Sequence, residues 1–172
     1  EVRLTLIDVT ERKINEKRIE ALMESAPDAM IVINPEGEVL LVNSRVEEVF
    51  GYRRDELLGK KIEMLLPERA RQRHTGLRSG FFLKPTARVM GNREMNLEGR
   101  RNNGATFPVE ISLSPMQTEE GALVVAAVRD ITERREIEQE IARKNQDLST
   151  LTLVNEAVMK VTDEVTLLRD IC

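Results

Sequence analysis

The chain of 172 residues contains one cysteine, Cys172, and one histidine, His74. A single cysteine cannot form an intrachain disulfide, a thiolate zinc cluster or a haem-attachment motif, and its rarity favours a reducing cytoplasm. A single histidine removes most metal sites and every histidine–nucleophile pair that does not use His74. There is also no glycine-rich phosphate-binding loop. We therefore predict a non-enzymatic chain with no catalytic residues and no metal site.

Aromatic residues make up only 3% of the chain and tryptophan is absent, so little is available to stack on a flat ring. No apolar run approaches the 18 residues of a membrane span, and the net charge is only −4. Neither nucleic acid nor a membrane is therefore an expected partner of this part of the protein. We expect a cytoplasmic location and no cofactor, with an unidentified small-molecule ligand left open.

One short motif occurs twice, as Asp8-Val9-Thr10-Glu11-Arg12 and, 122 residues later, as Asp130-Ile131-Thr132-Glu133-Arg134. Each copy follows a β-branched run and precedes a charged helical pattern. An acid followed three residues later by Glu is capping-box spacing, in which Asp130 and Glu133 satisfy helical N–H groups reciprocally. The repeat predicts a tandem array within a longer protein, with a strand joined rigidly to a helix. The predicted junction residues are Asp8, Thr10, Glu11, Arg12, Asp130, Thr132, Glu133 and Arg134.

Hydrophobic periodicity and turn residues predict an α+β domain. Two apolar strands flank the turn at Pro35-Glu36-Gly37, and Asn103-Gly104 indicates a two-residue hairpin followed by an alternating strand. Ser44 and Glu47 have capping-box spacing at the start of a helix. The polar stretch 84–92 is predicted to be loop. The predicted helices are 10–25, 44–50, 54–58 and 67–82. The predicted strands include 29–34, 38–42 and 122–129.

A heptad pattern follows the second motif. The predicted seam consists of Ile137, Ile141, Lys144, Leu148, Leu151, Asn155 and Val158. Spacings that alternate between four and three residues are typical of a coiled coil, and Asn at a seam position favours two strands in register. We predict a homodimer through these helices. The alternative is a helix packed on its own domain.

Several motifs occur in an order and spacing that carry a family resemblance. They are Ala26-Pro27-Asp28-Ala29, Gly37 with Asn43, Val49-Phe50-Gly51-Tyr52, Glu56-Leu57-Leu58-Gly59-Lys60, Leu66-Pro67-Glu68-Arg69, residues 103–110 and residues 130–134. Over about residues 24–134 the chain resembles a PAS domain, the sensory module of bacterial signalling proteins such as two-component systems.

The resemblance implies a PAS fold with a five-stranded antiparallel sheet in the order 2-1-5-4-3, short helices on one face, and flanking N- and C-terminal helices. It implies a tail of a preceding PAS domain at 1–10, a connecting helix at 11–24, the PAS domain at 25–132 and a signalling helix at 133–160. Residues 161–172 would begin a following domain, where the sequence from about 148 resembles a GAF domain. The expected partners are these neighbouring domains and an effector domain.

The family often encloses a ligand between its helices and sheet. The candidate cavity residues are Val32, Asn43, Val46, Phe50, Leu77, Phe81, Val89, Phe107, Val109 and Ile111. The alternative is that these side chains simply fill the core.

Three departures from the family pattern bear on function. Arg88 stands where haem-binding oxygen-sensor members have an iron-ligating histidine, and arginine cannot ligate iron. Light-sensing members need a cysteine in the helical region after the first hairpin, and none is present there. Arg53 replaces the usual capping serine, which should weaken that cap.

The expected function is therefore a non-catalytic sensory, relay and dimerisation module that passes a change in the sheet through residues 130–134 to the C-terminal helix. A sensor with non-covalent flavin or haem is the alternative. His74 is expected to be exposed or locally hydrogen-bonded rather than a ligand or a pH sensor. The basic residues Arg69, Arg71, Arg73 and Arg78 are expected to be solvated, with anion binding as the alternative.

Overall fold

The computed structural model of the protein describes residues 18–91, 96–118 and 121–146. The chain divides into two compact units, Glu1–Ile131 and Thr132–Cys172. The helices are α1 (18–24), α2 (Ser44–Phe50), α3 (Arg54–Leu57), a 3-10 helix (Ile62–Leu65), α4 (Glu68–Leu83) and α5 (132–146). The strands are β1 (Ala29–Ile33), β2 (Val39–Val42), β3 (Arg88–Met90), β4 (Glu98–Arg100), β5 (Thr106–Thr118) and β6 (Gly121–Asp130).

Several predictions concern residues beyond those ranges. The proposed PAS remnant at 1–10 with its copy of the motif, the start of the connecting helix, and the segment 161–172 all lie outside the described residues. The same holds for the predicted helix beyond residue 146. Within the described part of the chain, no helix is both long and apolar enough to cross a membrane.

The strands form one antiparallel sheet in the order β2-β1-β6-β5-β3, with β4 also paired to β5. Met90 pairs with Ile111 and Arg100 with Thr106, so β3 and β4 follow one another along the same strand. The amide of Val109 donates to Leu97 O, whereas Pro108 O accepts from Ile131, which places β4 and β6 on opposite edges of β5. Counting β3 and β4 as one interrupted edge strand turns this order into 2-1-5-4-3.

Two turn predictions need correction. Residues 84–92 were expected to be loop, yet β3 lies within them because Arg88, Val89 and Met90 extend the edge of β5. The hairpin at Asn103-Gly104 has three loop residues rather than two, since Arg101 N donates to Ala105 O across it. Gly104 has a φ of 87°, the left-handed position that closes this longer turn.

Strand alternation places the core on one face of the sheet. Ile31 and Ile33 of β1 and Phe107 and Val109 of β5 pack against side chains of α2, α3, the 3-10 helix and α4. Their neighbours Val32 and Pro108 point to the other face, as the two-residue period of a strand requires. The helices therefore gather on one face of the sheet, as predicted.

The helix starts differ from the sequence expectation. Ser44 is the first residue of α2 rather than its N-cap, a position that Asn43 takes without capping through its side chain. The carboxylate of Glu47 accepts a hydrogen bond from Arg54 N at 2.6 Å instead of forming the predicted capping box with Ser44. At α3, where a weak cap was expected, the carboxylate of Glu56 accepts from Arg53 N at 2.7 Å.

Candidate functional site

The end of β6 is held firmly in the sheet. Asp130 pairs with Val109 on β5, and the next residue, Ile131, is buried and donates its amide to Pro108 O at 3.1 Å. Helical backbone starts at residue 132. Asp130 was predicted to be the N-cap, but Ile131 is the residue directly before the helix, because the sheet ladder retains Asp130. Thr132, Glu133 and Arg134 form the first turn of α5.

Arg101 connects three parts of this region. Its Nη2 lies 2.6 Å from Asp130 Oδ2, and its Nη1 donates to Val49 O near the end of α2. The guanidinium carbon lies 3.9 Å from the centre of the Phe107 ring, within cation–π range. The planar fork of arginine can make both polar contacts while its face covers the ring, which lysine cannot do.

Asn102, the residue after Arg101, donates further hydrogen bonds to the C-terminal end of α2. Asn102 N donates to Phe50 O at 2.9 Å, and Asn102 Nδ2 donates to Gly51 O. Together with Arg101 these donors satisfy carbonyl groups that a helix C-terminus leaves without intrahelical partners. The hairpin between β4 and β5 therefore joins α2 to the last residue of β6.

The predicted cavity is only partly assembled. Six of its ten residues pack together in the core: Val46, Phe50, Phe81, Phe107, Val109 and, less completely buried, Ile111. The rings of Phe50 and Phe107 meet edge to face, with centres 5.4 Å apart. A Cβ atom on Gly99 would approach the Phe107 ring to 2.8 Å, so the rings press against the β4 backbone.

The other four predicted cavity residues do not belong to this cluster. Val32 lies on the opposite face of the sheet. Leu77 and Val89 are surface residues, 55% and 69% exposed, because Leu77 faces outward from α4 and Val89 pairs with the outward Ser112. Asn43 is fully buried, but its amide group is engaged by backbone rather than turned toward a ligand.

The contacts of Asn43 hold α1 to the domain. Its Nδ2 donates to Met23 O and Asp28 O, each at 3.0 Å, and its Oδ1 accepts from Met30 N at 2.8 Å. Beside it, the Glu24 carboxylate accepts from Ser44 N at 2.9 Å and from Arg54 Nη2 at 2.7 Å. The hydrogen bond from the Ser44 backbone is the main reason that the pKa of Glu24 lies below its usual value.

A second cluster of charged residues lies between the 3-10 helix and α4. Glu63 is buried, and its Oε1 lies 3.0 Å from both His74 Nδ1 and Arg78 Nε. Burial alone would raise the pKa of Glu63, but the hydrogen bonds from His74 and Arg78 outweigh it and hold that pKa below its usual value. His74 is thus locally hydrogen-bonded, one of the two arrangements that the sequence predicted.

The seam can be followed only to residue 146. On α5, Ile137 and Ile141 are 50% and 54% exposed. Ion pairs between residues four apart, Arg134 with Glu138 and Glu140 with Lys144, lie along the same helix. Leu148, Leu151, Asn155 and Val158 lie outside the described residues, so the coiled coil stays a prediction.

Sequence reasoning missed Arg101, Glu24 and Glu63. Each is a charged residue whose side-chain hydrogen-bond partners lie 11 or more residues away in the sequence, so no local pattern distinguishes it from a solvated residue. Asn43 was singled out, but for a different role.

Three observations bear on a haem group. Arg88, at the place of the family's iron-ligating histidine, has its guanidinium carbon 4.9 Å from the centre of the Phe81 ring. The one histidine of the chain directs Nδ1 to Glu63 instead. Among the described residues, no group of three or more His, Cys, Asp or Glu side chains could hold a metal ion. The residues present therefore do not fit haem ligation at the family position.

The sequence profile of the PAS domain family matches residues 27–133, well over half of the chain. The chain belongs to the PAS domain family. A solved PAS domain of an HTR-like protein from Haloarcula marismortui is similar in structure, with a TM-score of 0.58 and 28% identity over 72% of this chain and 99% of that one. The mixed fold of antiparallel sheet and helices is thereby confirmed as a PAS fold, a sensory and typically non-catalytic fold.

Curated relatives are signalling proteins. The sensor protein FixL of Bradyrhizobium diazoefficiens is 28% identical over 89% of this chain and 31% of its own length. The cell-division control histidine kinase PdhS of Brucella ovis is 24% identical over 76% of this chain and 12% of its own length. The chain thus spans less than a third of these relatives. It is a PAS sensory domain similar to those of two-component sensor kinases.

Proposed function

We propose that this PAS domain is a non-catalytic relay and dimerisation module of a cytoplasmic signalling protein. A change in the helices or sheet, caused by a ligand or by a neighbouring domain, would reach α5 through residues 130–134. Paired α5 helices would then pass the change to an effector domain. Any enzymatic activity of the whole protein would reside in that other domain.

The observation that carries the proposal is the continuity of the junction. Ile131 is buried and hydrogen-bonded within the sheet unit, and residue 132 is already helical. Only Ile131 separates the last residue of β6 from the first residue of α5. A displacement of the strand end would therefore reach the first turn of α5.

Arg101 supplies a path from the helices to that junction. It contacts Val49 O on α2, the Phe107 ring in the core and the carboxylate of Asp130. Repacking of the core around Phe107 would move the guanidinium, and with it the last residue of β6.

The N-terminal side offers a matching input. Glu24 and Asn43 tie α1 to the starts of α2, α3 and β1. A movement of α1 driven by a preceding domain would therefore pull on α2, whose far end is held by Arg101 and Asn102.

A distance measurement between protomers tests the relay. In the 172-residue chain with Cys172→Ser, a spin label at Arg143→Cys would report the separation of paired α5 helices by double electron–electron resonance. We expect Arg101→Lys, which keeps the charge but loses the fork and the stacking, to shift or broaden the distance distribution. The adjacent Arg100→Lys is the matched control and should leave the distribution unchanged.

Two results would contradict the proposal separately. Equal distributions for Arg101→Lys and Arg100→Lys would reject the path through Arg101. At about 100 μM protein, a dimer with a micromolar dissociation constant is almost fully formed. A monomer observed by sedimentation velocity at this concentration would reject pairing through α5.

We further propose that the domain functions without haem, because Arg88 replaces the iron ligand and His74 is committed to Glu63. The absorption spectrum of the protein purified from haem-supplemented cells should lack a Soret band. A Soret band that survives gel filtration would favour the cofactor-sensor alternative, and flavin absorption near 450 nm would favour its flavin form.

A further inference from the structure

An open groove lies between the 3-10 helix and α4. It has a volume of about 370 Å³ and is lined by Lys61, Glu63, Arg71, Gln72, Thr75 and Arg78. A volume of this size lies in the range of small-molecule sites. The groove is separate from the space that the PAS resemblance assigned to a ligand, because it shares none of those ten residues.

The spacing of its α4 residues explains the groove. Arg71, Thr75 and Arg78 are four and three residues apart, so they lie along one face of the helix. The sequence favoured solvation of the four arginines over anion binding, because they are spread around the helix rather than clustered on one side. The structure separates them: Arg71 and Arg78 line the groove, whereas Arg69 pairs with Glu98.

The floor of the groove is rigid. The Arg78 side chain is only 8% exposed, and it joins the Glu63 carboxylate to Pro35 O in the turn between β1 and β2. A Cβ atom on Gly37, whose φ is 82°, would lie 2.5 Å from Arg78 Cζ. The guanidinium thus packs directly on the turn backbone and is fixed before any ligand arrives, which lowers the entropy lost on binding.

The charges in and beside the groove do not cancel. Arg78 is matched by Glu63, and Lys61 Nζ lies 3.3 Å from Glu38 Oε1. Arg71 has no acidic partner among the described residues. Its Nε donates to Leu66 O at 3.2 Å and its Nη2 donates to Met64 O at 3.5 Å, which steadies the guanidinium at the groove. One positive charge therefore remains, flanked by the Gln72 amide and the Thr75 hydroxyl.

We propose that this groove binds a small polar molecule carrying one anionic oxygen group, a carboxylate or a phosphate, with Arg71 as its anchor. The guanidinium would donate to the anionic group and the Gln72 amide would bond the polar body. The Thr75 hydroxyl donates to Arg71 O at 3.2 Å and would therefore act as an acceptor for the ligand. Lys61 would add long-range attraction. Because the groove is built from the 3-10 helix, α4 and, through Arg78, the 35–37 turn, an occupied site would stabilise these elements together. The inference stands independently of the relay.

Nuclear magnetic resonance titration of the 172-residue chain tests the site. Acetate, glycolate, inorganic phosphate and glycerol 3-phosphate would be added at constant ionic strength and pH 7.5, while the Arg71 Nε–H and the Gln72 side-chain amide are observed. We expect saturable shifts at these groups, with the carboxylate and phosphate arms deciding which anion class is preferred. Shifts that never saturate, or that spread evenly over all exposed arginines, would overturn the proposal.

Matched variants make the test specific. Arg71→Gln should weaken binding about tenfold or more, as expected for the loss of a charge-assisted hydrogen bond. Arg73→Gln makes the same charge change on the same helix outside the groove and should alter binding less than twofold. Gln72→Glu keeps Arg71 but places a carboxylate beside it in the groove, and should weaken binding at least as much as Arg71→Gln does. Equal weakening by Arg71→Gln and Arg73→Gln, or full binding by Gln72→Glu, would show that no site is present there.

Discussion

Asn43 allows the contribution of a single buried side chain to be worked out from the structure. Its three hydrogen bonds go to backbone groups of Met23, Asp28 and Met30, and its exposed fraction is 0%. Replacing it by alanine removes all three bonds and leaves those groups without their partners. At about 1 to 1.5 kcal/mol per bond, we expect Asn43→Ala to lower the free energy of unfolding by roughly 3–4.5 kcal/mol. That is a large part of the 5–15 kcal/mol typical of a domain.

Asn43→Asp tests the direction of the bonds as well as their number. Aspartate has nearly the same shape, but an ionised carboxylate cannot donate to Met23 O and Asp28 O, and burial among carbonyl oxygens raises the pKa of such a group. An acid with a raised pKa in the folded state destabilises it above the unfolded pKa, and that cost falls as pH decreases. The deficit relative to wild type should shrink between pH 7 and pH 5 by up to about 1.4 kcal/mol per pH unit.

The assay is urea unfolding followed by far-ultraviolet circular dichroism, because the chain has no tryptophan. Exposed Asn96 provides the control: Asn96→Ala and Asn96→Asp should change the free energy of unfolding by less than about 0.5 kcal/mol. The reasoning is refuted if Asn43→Ala costs less than about 1 kcal/mol. It is also refuted if the deficit of Asn43→Asp does not depend on pH.

Two further predictions concern stability. Glu63→Gln should cost about 3 kcal/mol at pH 7, because it leaves the buried Arg78 without its carboxylate; the exposed Glu68→Gln is the control. Since the pKa of Glu63 is lowered on folding, its stabilisation is present above its ordinary pKa of 4.5 and is lost as pH falls through the folded value. The gap between wild type and Glu63→Gln should therefore narrow in acid, and a gap that widens would contradict the assignment. Gly91→Ala should cost at least about 2 kcal/mol, because φ is 98° and the new Cβ would meet the backbone of Val109 and Glu110. Gly76→Ala in α4 meets nothing within 4 Å and should be neutral or stabilising by up to about 1 kcal/mol; similar thermal midpoints for the two variants would refute this.

Local patterns in the sequence were sufficient for much of the architecture. Alternation identified the core face of β5, and the turn at residues 35–37 appears where proline and glycine predicted it. Helix α4 runs over Glu68–Leu83 against a predicted 67–82. These features depend on the period of one segment and on residues within a few positions of each other, which a single sequence displays directly.

The same local view failed where partners are distant in sequence. Arg101 and Val49 are 52 residues apart, and Arg78 and Pro35 are 43 apart. From local sequence alone such a charged residue is predicted to be solvated. The sheet register and the helix packing bring its hydrogen-bond acceptor close only in the folded domain. The fold family, the strand pattern and the doubled junction motif were thus determined by the sequence alone. The tertiary structure decided which charged side chains hold the domain together. It also decided that Arg71 lies at a groove without an acidic partner among the described residues. The physical reason is that the energy of a polar contact depends on geometry between segments rather than on composition within one.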